Sequence, residues 1–231
     1  MKSIAVIPAR LQSKRFPRKI LFPIEEKPMV VHVYENAKKS ELINDVIVAV
    51  DDKETIKELN KWKVKTVMTD VHHSSGTDRV HEASRDIDAE VIVNLQADEP
   101  FLDSRLIDML IQEFDDSQIE MATVAGKNLT AESINDLNTV KVLLDYEKFA
   151  LAFRRRPLDL EIGGYYHHAG IYAYRKEILD KFTKLDPSIN EKKQKLEQLR
   201  AMDNGISIKV VLIDKVNKGI DTLDDLRGLV K

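Results

Sequence analysis

The 231-residue chain contains no cysteine. That absence excludes disulfides, thiolate nucleophiles and thiolate zinc sites together. No stretch approaches the roughly 18 consecutive apolar residues of a membrane span. The opening run Met-Lys-Ser-Ile-Ala-Val-Ile-Pro has an apolar core too short for a secretory leader. The expectation is a cytoplasmic protein with no membrane partner. Neither sign of charge dominates: the net charge is −3, which argues against a general nucleic-acid binder. Glycine is scarce, with 8 in the chain and none between Pro8 and Lys19. A glycine-rich phosphate cradle of the Gly-x-x-x-x-Gly-Lys-Ser/Thr kind is therefore excluded there. No Ser-His-Asp arrangement can be assembled in order, and no repeat, low-complexity tract or linker is visible.

What is present is an ordinary globular composition, 43% hydrophobic and 32% charged. A chain of this length buries roughly 70–75% of its unfolded surface. Short apolar runs at Ser3–Ile7, Val46–Val50, Val64–Met68 and Val91–Leu95 read as buried strands. Helical patterns near Pro28–Lys39, Lys53–Trp62 and Thr77–Asp86 lie between them. That alternation implies right-handed crossovers and a parallel sheet. Asp103 suits the N-cap of a further helix reaching Phe114. After Glu120 the rhythm changes. Met121–Ala125, Val140–Leu144, Ala150–Phe153 and Ile171–Tyr174 read as short strands, with a hairpin-like excursion around Arg154–Tyr166. A helix is expected over Glu191–Asp203, stopped by Asn204-Gly205, then a strand over Ile206–Ile213 and a terminal helix over Leu223–Val230. The fold class predicted is α/β: a mixed, mainly parallel central sheet flanked by helices, with an antiparallel excursion in the second half. One domain over 1–231 is the economical reading.

The first strand runs into a loop crowded with cations: Arg10, Lys14, Arg15, Arg18 and Lys19, with Ser13 among them and no acid. Open α/β sheets place ligands at the carboxyl ends of their strands. Cations delivered there point to an anion, most simply a polyphosphate. The fourth strand ends in Asn94-Leu95-Gln96-Ala97-Asp98-Glu99-Pro100. Beside a phosphate loop, Asp98 is a natural Mg²⁺ ligand, because Mg²⁺ is usually held by one or two carboxylates plus phosphate oxygens and water. A turn acid or helix cap is the competing reading. Asp221 stands before the last helix, where an N-cap is the competitor. Within Asp70–Arg79, Gly76 permits a turn, and the hydroxyls of Ser75 and Thr77 can bond base, sugar or phosphate. The adjacent His72 and His73 lack the spacing of a metal pair. Arg154, Arg155 and Arg156 are either a solvated face or a carboxylate clamp, for which guanidinium geometry is suited.

Taken together, these motifs resemble the 3-deoxy-manno-octulosonate (KDO) cytidylyltransferase family nearly end to end. The resemblance rests on Ile7-Pro8-Ala9-Arg10, Ser13-x-Arg15-x-Pro17-x-Lys19, Lys27-Pro28-Met29 and His73-x-Ser75-Gly76-Thr77-Asp78-Arg79. It continues through Asn94-x-Gln96-x-Asp98-Glu99-Pro100, Val140-Lys141-Val142, His168-x-Gly170-Ile171-Tyr172, Leu196-Glu197-Gln198-Leu199-Arg200 and Gly219-x-Asp221-Thr222. It implies a Rossmann-like nucleotidyltransferase fold and an Mg²⁺-dependent enzyme that joins CTP to an octulosonic acid for lipopolysaccharide precursor synthesis, releasing pyrophosphate. It implies that Arg10, Ser13 and Lys19 hold the nucleotide phosphates, and that Ser75, Gly76, Thr77 and Arg79 shape the nucleotide site. Asp98 and Asp221 would hold Mg²⁺. Arg10, Lys19 and both aspartates would carry catalysis. Arg15, Gln96, Arg155, His168 and Gln198 would face the sugar acid, and the protein would be a homodimer built through its second half. The chain departs from the family's pattern at Gln12, where glycine or alanine is usual, at Arg18, where glycine is usual, at Ala97, and across Phe153–Asp159. The last departure leaves open a different keto-sugar acid as acceptor, and the departures together leave open a nucleotide-binding module without turnover.

Overall fold

The computed structural model describes residues 1–12, 16–157, 164–217, 219–220 and 225. Ser13, Arg15 and Asp221, and most of the expected terminal helix, lie outside the described residues. The chain divides into two compact units, one of Met1–Asp108 with Asn217–Lys231, the other of Met109–Val216.

In the first unit the apolar runs become strands because nothing else hides them. β1 (Ser3–Ala9) is buried along nearly its whole length. A hairpin of two-residue strands, β2 (Pro23–Ile24) and β3 (Lys27–Pro28), precedes α1 (Met29–Ala37). β4 (Asp45–Val50), α2 (Lys53–Asn60), β5 (Thr66–Met68), α3 (Gly76–Ser84) and β6 (Val91–Asn94) follow. β1 pairs in parallel with β4 and β6, and β4 with β5, giving the order β6-β1-β4-β5. Strands buried on both faces carry continuous apolar runs. Each fully buried Val or Ile there contributes about 1.5–3 kcal/mol. The carboxyl ends of β1, β4 and β6 open at Ala9, Val50 and Asn94, which is where the motif residues begin.

α4 (Ser104–Gln112) carries the chain into the second unit. Asp103 is its cap, accepting the Arg105 N–H at 3.0 Å as expected. β7 (Met121–Gly126), α5 (Ala131–Asn135), β8 (Lys141–Leu144), β9 (Ala150–Arg154) and β10 (Tyr165–Arg175) come next. They are followed by α6 (Lys176–Thr183), α7 (Ile189–Gln194), α8 (Gln198–Asp203) and β11 (Ile208–Ile213). β7–β10, β10–β8 and β8–β9 pair antiparallel, while β11 joins β7 in parallel. The fold class is the mixed α/β arrangement expected.

Two local expectations are corrected. The single helix over Glu191–Asp203 is two helices, separated at Lys195, which stands in the left-handed region with φ 54°. No proline or glycine marks that break, so propensity alone reads through it. Gly76 makes no tight turn; it is the first residue of α3. A Cβ there would meet the Pro8 ring at 3.4 Å, an ordinary van der Waals contact, so neither φ nor packing demands glycine at this helix end.

Candidate nucleotide-binding site

The loop after β1 and the ends of β6 and α3 enclose a cavity of ≈ 290 Å³ in the first unit, lined among others by Arg10, Lys19, Ser75, Gly76, Arg79, Gln96 and Asp98. Thus every expected nucleotide residue among those described, apart from Thr77, meets at one place. Thr77 is buried one residue into α3. The cavity's chemistry centres on an ion pair. The Lys19 ammonium lies 2.6 Å from Asp98 Oδ2, with the two side chains 13% and 27% exposed. Arg10 is exposed beside it.

The N-terminus of α3 is built by a capping box. Ser75 Oγ accepts the Asp78 N–H at 3.1 Å, and Asp78 Oδ2 accepts the Ser75 N–H at 3.2 Å. The Ser75 hydroxyl still has its own proton to donate. Ser75 and Gly76 of that terminus line the cavity, and the positive end of the helix dipole there favours a phosphate oxygen.

Behind this wall, Asp51 ties two motifs together. Its Oδ1 accepts the Leu11 N–H at 3.0 Å, and its Oδ2 accepts Arg79 Nη2 at 3.2 Å. Arg79 Nη1 also donates to Thr69 Oγ1 at 2.5 Å. Arg79 therefore reaches the cavity with its guanidinium already anchored on the protein. Sequence reasoning missed Asp51 altogether: one carboxylate at a strand end carries no signal until its partners are known. Gln12, His73 and Ser74 also line the cavity without being expected there. His73 is bonded through Nε2 to Glu82, whose same oxygen accepts the Asp70 N–H at 2.8 Å. Its signal was its position in the His73–Arg79 motif, since the reading weighs it only as a metal ligand.

A metal fits the carboxylate end of the cavity. The Glu99 carboxyl is pushed up to about 8 by burial and by the charge of Asp98. Asp98 is half-buried and reaches the cavity. The Ile220 N–H donates to the Asp98 carbonyl at 2.9 Å, so the segment leading to Asp221 docks beside Asp98. Among the described residues no group of three or more His, Asp or Glu forms a complete metal cage. A site of one or two carboxylates finished by phosphate oxygens and water is the Mg²⁺ pattern.

The expected acceptor residues Arg155, His168 and Gln198 belong to the second unit. His168 is buried, its Nε2 lies 3.0 Å from Thr123 Oγ1, and its ring meets Phe153 edge-on at 4.9 Å. Its ring also meets Tyr172 at a tilt, with centroids 5.5 Å apart. Burial, then the neighbouring His167, holds its pKa down to about 3. The unfolded histidine takes its proton near pH 6.5. As pH falls below that value, the unfolded chain binds a proton that the folded chain refuses until about pH 3. Stability is thus full above pH 6.5 and is lost through that window. His168→Gln is expected to flatten the acid limb of a urea-midpoint profile between pH 6.5 and 4; an unchanged limb would clear His168 of the effect.

Arg155 has another occupation than a free clamp. Its Nε donates to the Gln194 carbonyl at 3.1 Å, Nη1 to Leu137 at 2.8 Å and Nη2 to Lys195 at 3.1 Å. Arg155 is therefore neither simply solvated nor a waiting cation, while Arg156 beside it is exposed.

Comparison with known proteins bears on all of this. A cytidylyltransferase family model matches residues 4–208. The 3-deoxy-manno-octulosonate cytidylyltransferase of Chloroherpeton thalassium is 40% identical, covering 98% of this chain and 95% of its own. That of Nitratidesulfovibrio vulgaris is 41% identical, covering 97% and 93%. Among solved structures, CMP:2-keto-3-deoxy-manno-octonic acid synthetase complexed with CTP superposes with a TM-score of 0.94 at 36% identity, over 99% of this chain and 97% of that one. A 4-diphosphocytidyl-2C-methyl-D-erythritol synthase from Anaerococcus prevotii, at 16% identity and a TM-score of 0.67, shares the fold alone.

Proposed function

We infer from the family to which the chain belongs, the 3-deoxy-manno-octulosonate cytidylyltransferases, that it transfers CMP from CTP to the anomeric hydroxyl of KDO, releasing pyrophosphate. The observation that carries this reading at the level of residues is the Lys19–Asp98 pair in the cavity. A cation from the loop after β1 and a carboxylate from the end of β6 neutralise each other while no substrate is bound.

In the reaction the anomeric oxygen forms a bond to the α-phosphorus. The bond from that phosphorus to the bridging oxygen of the β-phosphate breaks, and pyrophosphate departs. The protein's task is to hold two anions together and offset their repulsion. Arg10 and Lys19, with Ser13, take the triphosphate oxygens. Ser75 and Gly76 present the α3 terminus, and Arg79 steadies the wall against which the nucleotide lies. Lys19 exchanges Asp98 for phosphate when CTP arrives, which frees the Asp98 carboxylate. Asp98 and Asp221 would then hold Mg²⁺. When bound, the ion supplies charge neutralisation at the phosphates and orients the incoming hydroxyl. Arg15, Gln96, His168 and Gln198 serve the sugar acid. The chain works as a homodimer in the cytoplasm, where its CTP is found. No helix among the described residues is long and apolar enough to cross a membrane.

The test is pyrophosphate release by the purified chain with CTP, Mg²⁺ and a panel of acceptors: KDO, its 8-amino analogue and a nine-carbon sialic-type acid. Release is expected to need all three components and to show the highest kcat/KM with KDO. A nine-carbon acid that outperforms KDO would move the acceptor assignment while leaving the reaction class. No release with any acceptor would return the chain to a nucleotide-binding module.

A further inference from the structure

The break between α7 and α8 is not written in their sequence. No residue of Glu191–Asp203 is a helix breaker, yet Lys195 adopts a left-handed conformation with φ 54° and ψ 49°. A non-glycine residue held there is strained and needs support from its surroundings. Locally, the Lys195 and Leu196 N–H groups both donate to the Glu191 carbonyl, at 2.7 and 3.4 Å, a Schellman-like close. That leaves the last carbonyls of α7 facing outward. Arg155 takes two of them, Gln194 and Lys195, in one fork, and ties them to the Leu137 carbonyl on the loop before β8. The Arg155 backbone is itself fixed. Its carbonyl accepts from Lys141 Nζ at 2.9 Å, and the same ammonium donates to the Asp136 carbonyl at 2.7 Å. Lys141 is a fully buried lysine spent on holding this corner.

The turn that Arg155 closes leads within three residues to Gln198, which is 6% exposed. Glu197 beside it acts on Tyr172, whose hydroxyl is pushed up chiefly by burial, with the charges of Tyr174 and Glu197 adding to it. Glu197 is the N-cap of α8 and Gln198 its first residue, so the turn fixes where that helix starts. From the far side, Arg200 grips Glu191 at 2.6 Å and fixes the two helices to each other. What Arg155 adds is the angle at which the second helix begins.

We propose that Arg155 is a positioning residue for the acceptor: it sets the α7–α8 turn, and through it the placement of Gln198, rather than touching the sugar carboxylate itself. The proposal rests on the acceptor reading of Gln198 and His168 given above. A guanidinium can do this where an ammonium cannot, because three carbonyls in a fork need planar, divergent donors.

The experiment compares KDO with its methyl ester as acceptors for the unaltered chain and for Arg155→Lys. With Arg155 as positioner, the variant's KM for KDO rises about tenfold and its KM for CTP stays within twofold. The ratio of kcat/KM for acid over ester keeps its original value, because both acceptors lose the same well-placed partner. A second arm introduces Lys195→Gly into the Arg155→Lys background. Glycine takes the left-handed turn without strain, so KM for KDO is expected to recover at least threefold. A direct salt link to the carboxylate would give the opposite pattern: the acid-over-ester ratio falls toward one, and Lys195→Gly rescues nothing. Either result overturns the proposal, as does an unchanged KM for KDO. If Arg155→Lys does not fold, Arg155→Gln, whose amide still reaches one carbonyl, is read by the same ratio. Pyrophosphate release by the unaltered chain with KDO is the control that separates failure of this proposal from failure of the acceptor assignment.

Discussion

Asp98→Asn is expected to lower turnover by roughly 10²–10³, about 3–4 kcal/mol of barrier, the cost typical of removing one dominant electrostatic element. Asparagine keeps the shape of the side chain and removes only its charge. The variant therefore separates two roles that the ion pair with Lys19 combines. In the unaltered chain, CTP must draw Lys19 away from a carboxylate 2.6 Å distant. Without that charge, Lys19 meets the triphosphate unopposed, so CTP binding measured without metal should be equal or tighter. Turnover at saturating Mg²⁺ should nonetheless collapse. Steady-state pyrophosphate release and a CTP titration read the two effects separately. Asp103→Asn is the control, a half-buried cap acid outside the cavity whose loss should leave turnover unchanged. Near-normal turnover by a folded Asp98→Asn would remove Asp98 from the metal site. A parallel loss of CTP affinity without metal would mean that Asp98 shapes the pocket instead.

The sequence carried most of the first unit because its strands are buried on both faces. Val46–Val50 and Val91–Asn94 are apolar for that reason and admit few other readings. The cation loop reads as a candidate site because cations after a first strand have few structural uses, and its Arg10 and Lys19 line the cavity. Other features depended on partners distant in the chain. Arg18 stands in the left-handed region with φ 58°, which gives a physical reason why glycine is usual at that place in the family. This chain holds the conformation while Arg18 pairs with Glu54 at 2.7 Å. Residue type alone could not show that the position is a turn. The α7–α8 break was hidden for the same reason: its support comes from Arg155, some 40 residues earlier. Arg155 in turn read as a carboxylate clamp, because a sequence shows a guanidinium's charge but not the carbonyls that already occupy its donors. α6 follows the strand directly, and its N-cap, Arg175, makes no side-chain capping bond, so no start signal marks it in the sequence.

Asp51→Ala is expected to destabilise the chain by about 3–5 kcal/mol, the cost of leaving a buried charge without its partner. The Asp51 and Arg79 side chains are only 5% and 3% exposed, so water cannot replace what the carboxylate supplied. The Leu11 N–H loses its acceptor in the same step, adding about 1–3 kcal/mol where that group stays dry. Against a total stability of about 5–15 kcal/mol, the variant should unfold at a much lower urea concentration. A double variant shows whether charge or shape is responsible. Asp51→Ala with Arg79→Met replaces both ions by apolar groups and should recover most of the loss, leaving the share that belongs to Leu11. The residual deficit has a functional reading. Leu11 follows Arg10 directly, and Arg79 belongs to the helix whose first turn holds Ser75 and Gly76. A folded double variant should therefore bind CTP more weakly than the unaltered chain, because the loop and the helix end no longer share one anchor and the cavity wall loses Arg79 itself. Equilibrium urea unfolding and a CTP titration decide it. A loss below about 1 kcal/mol for Asp51→Ala would show that the pair is solvated after all, and unchanged CTP affinity in the double variant would confine Asp51 to stability.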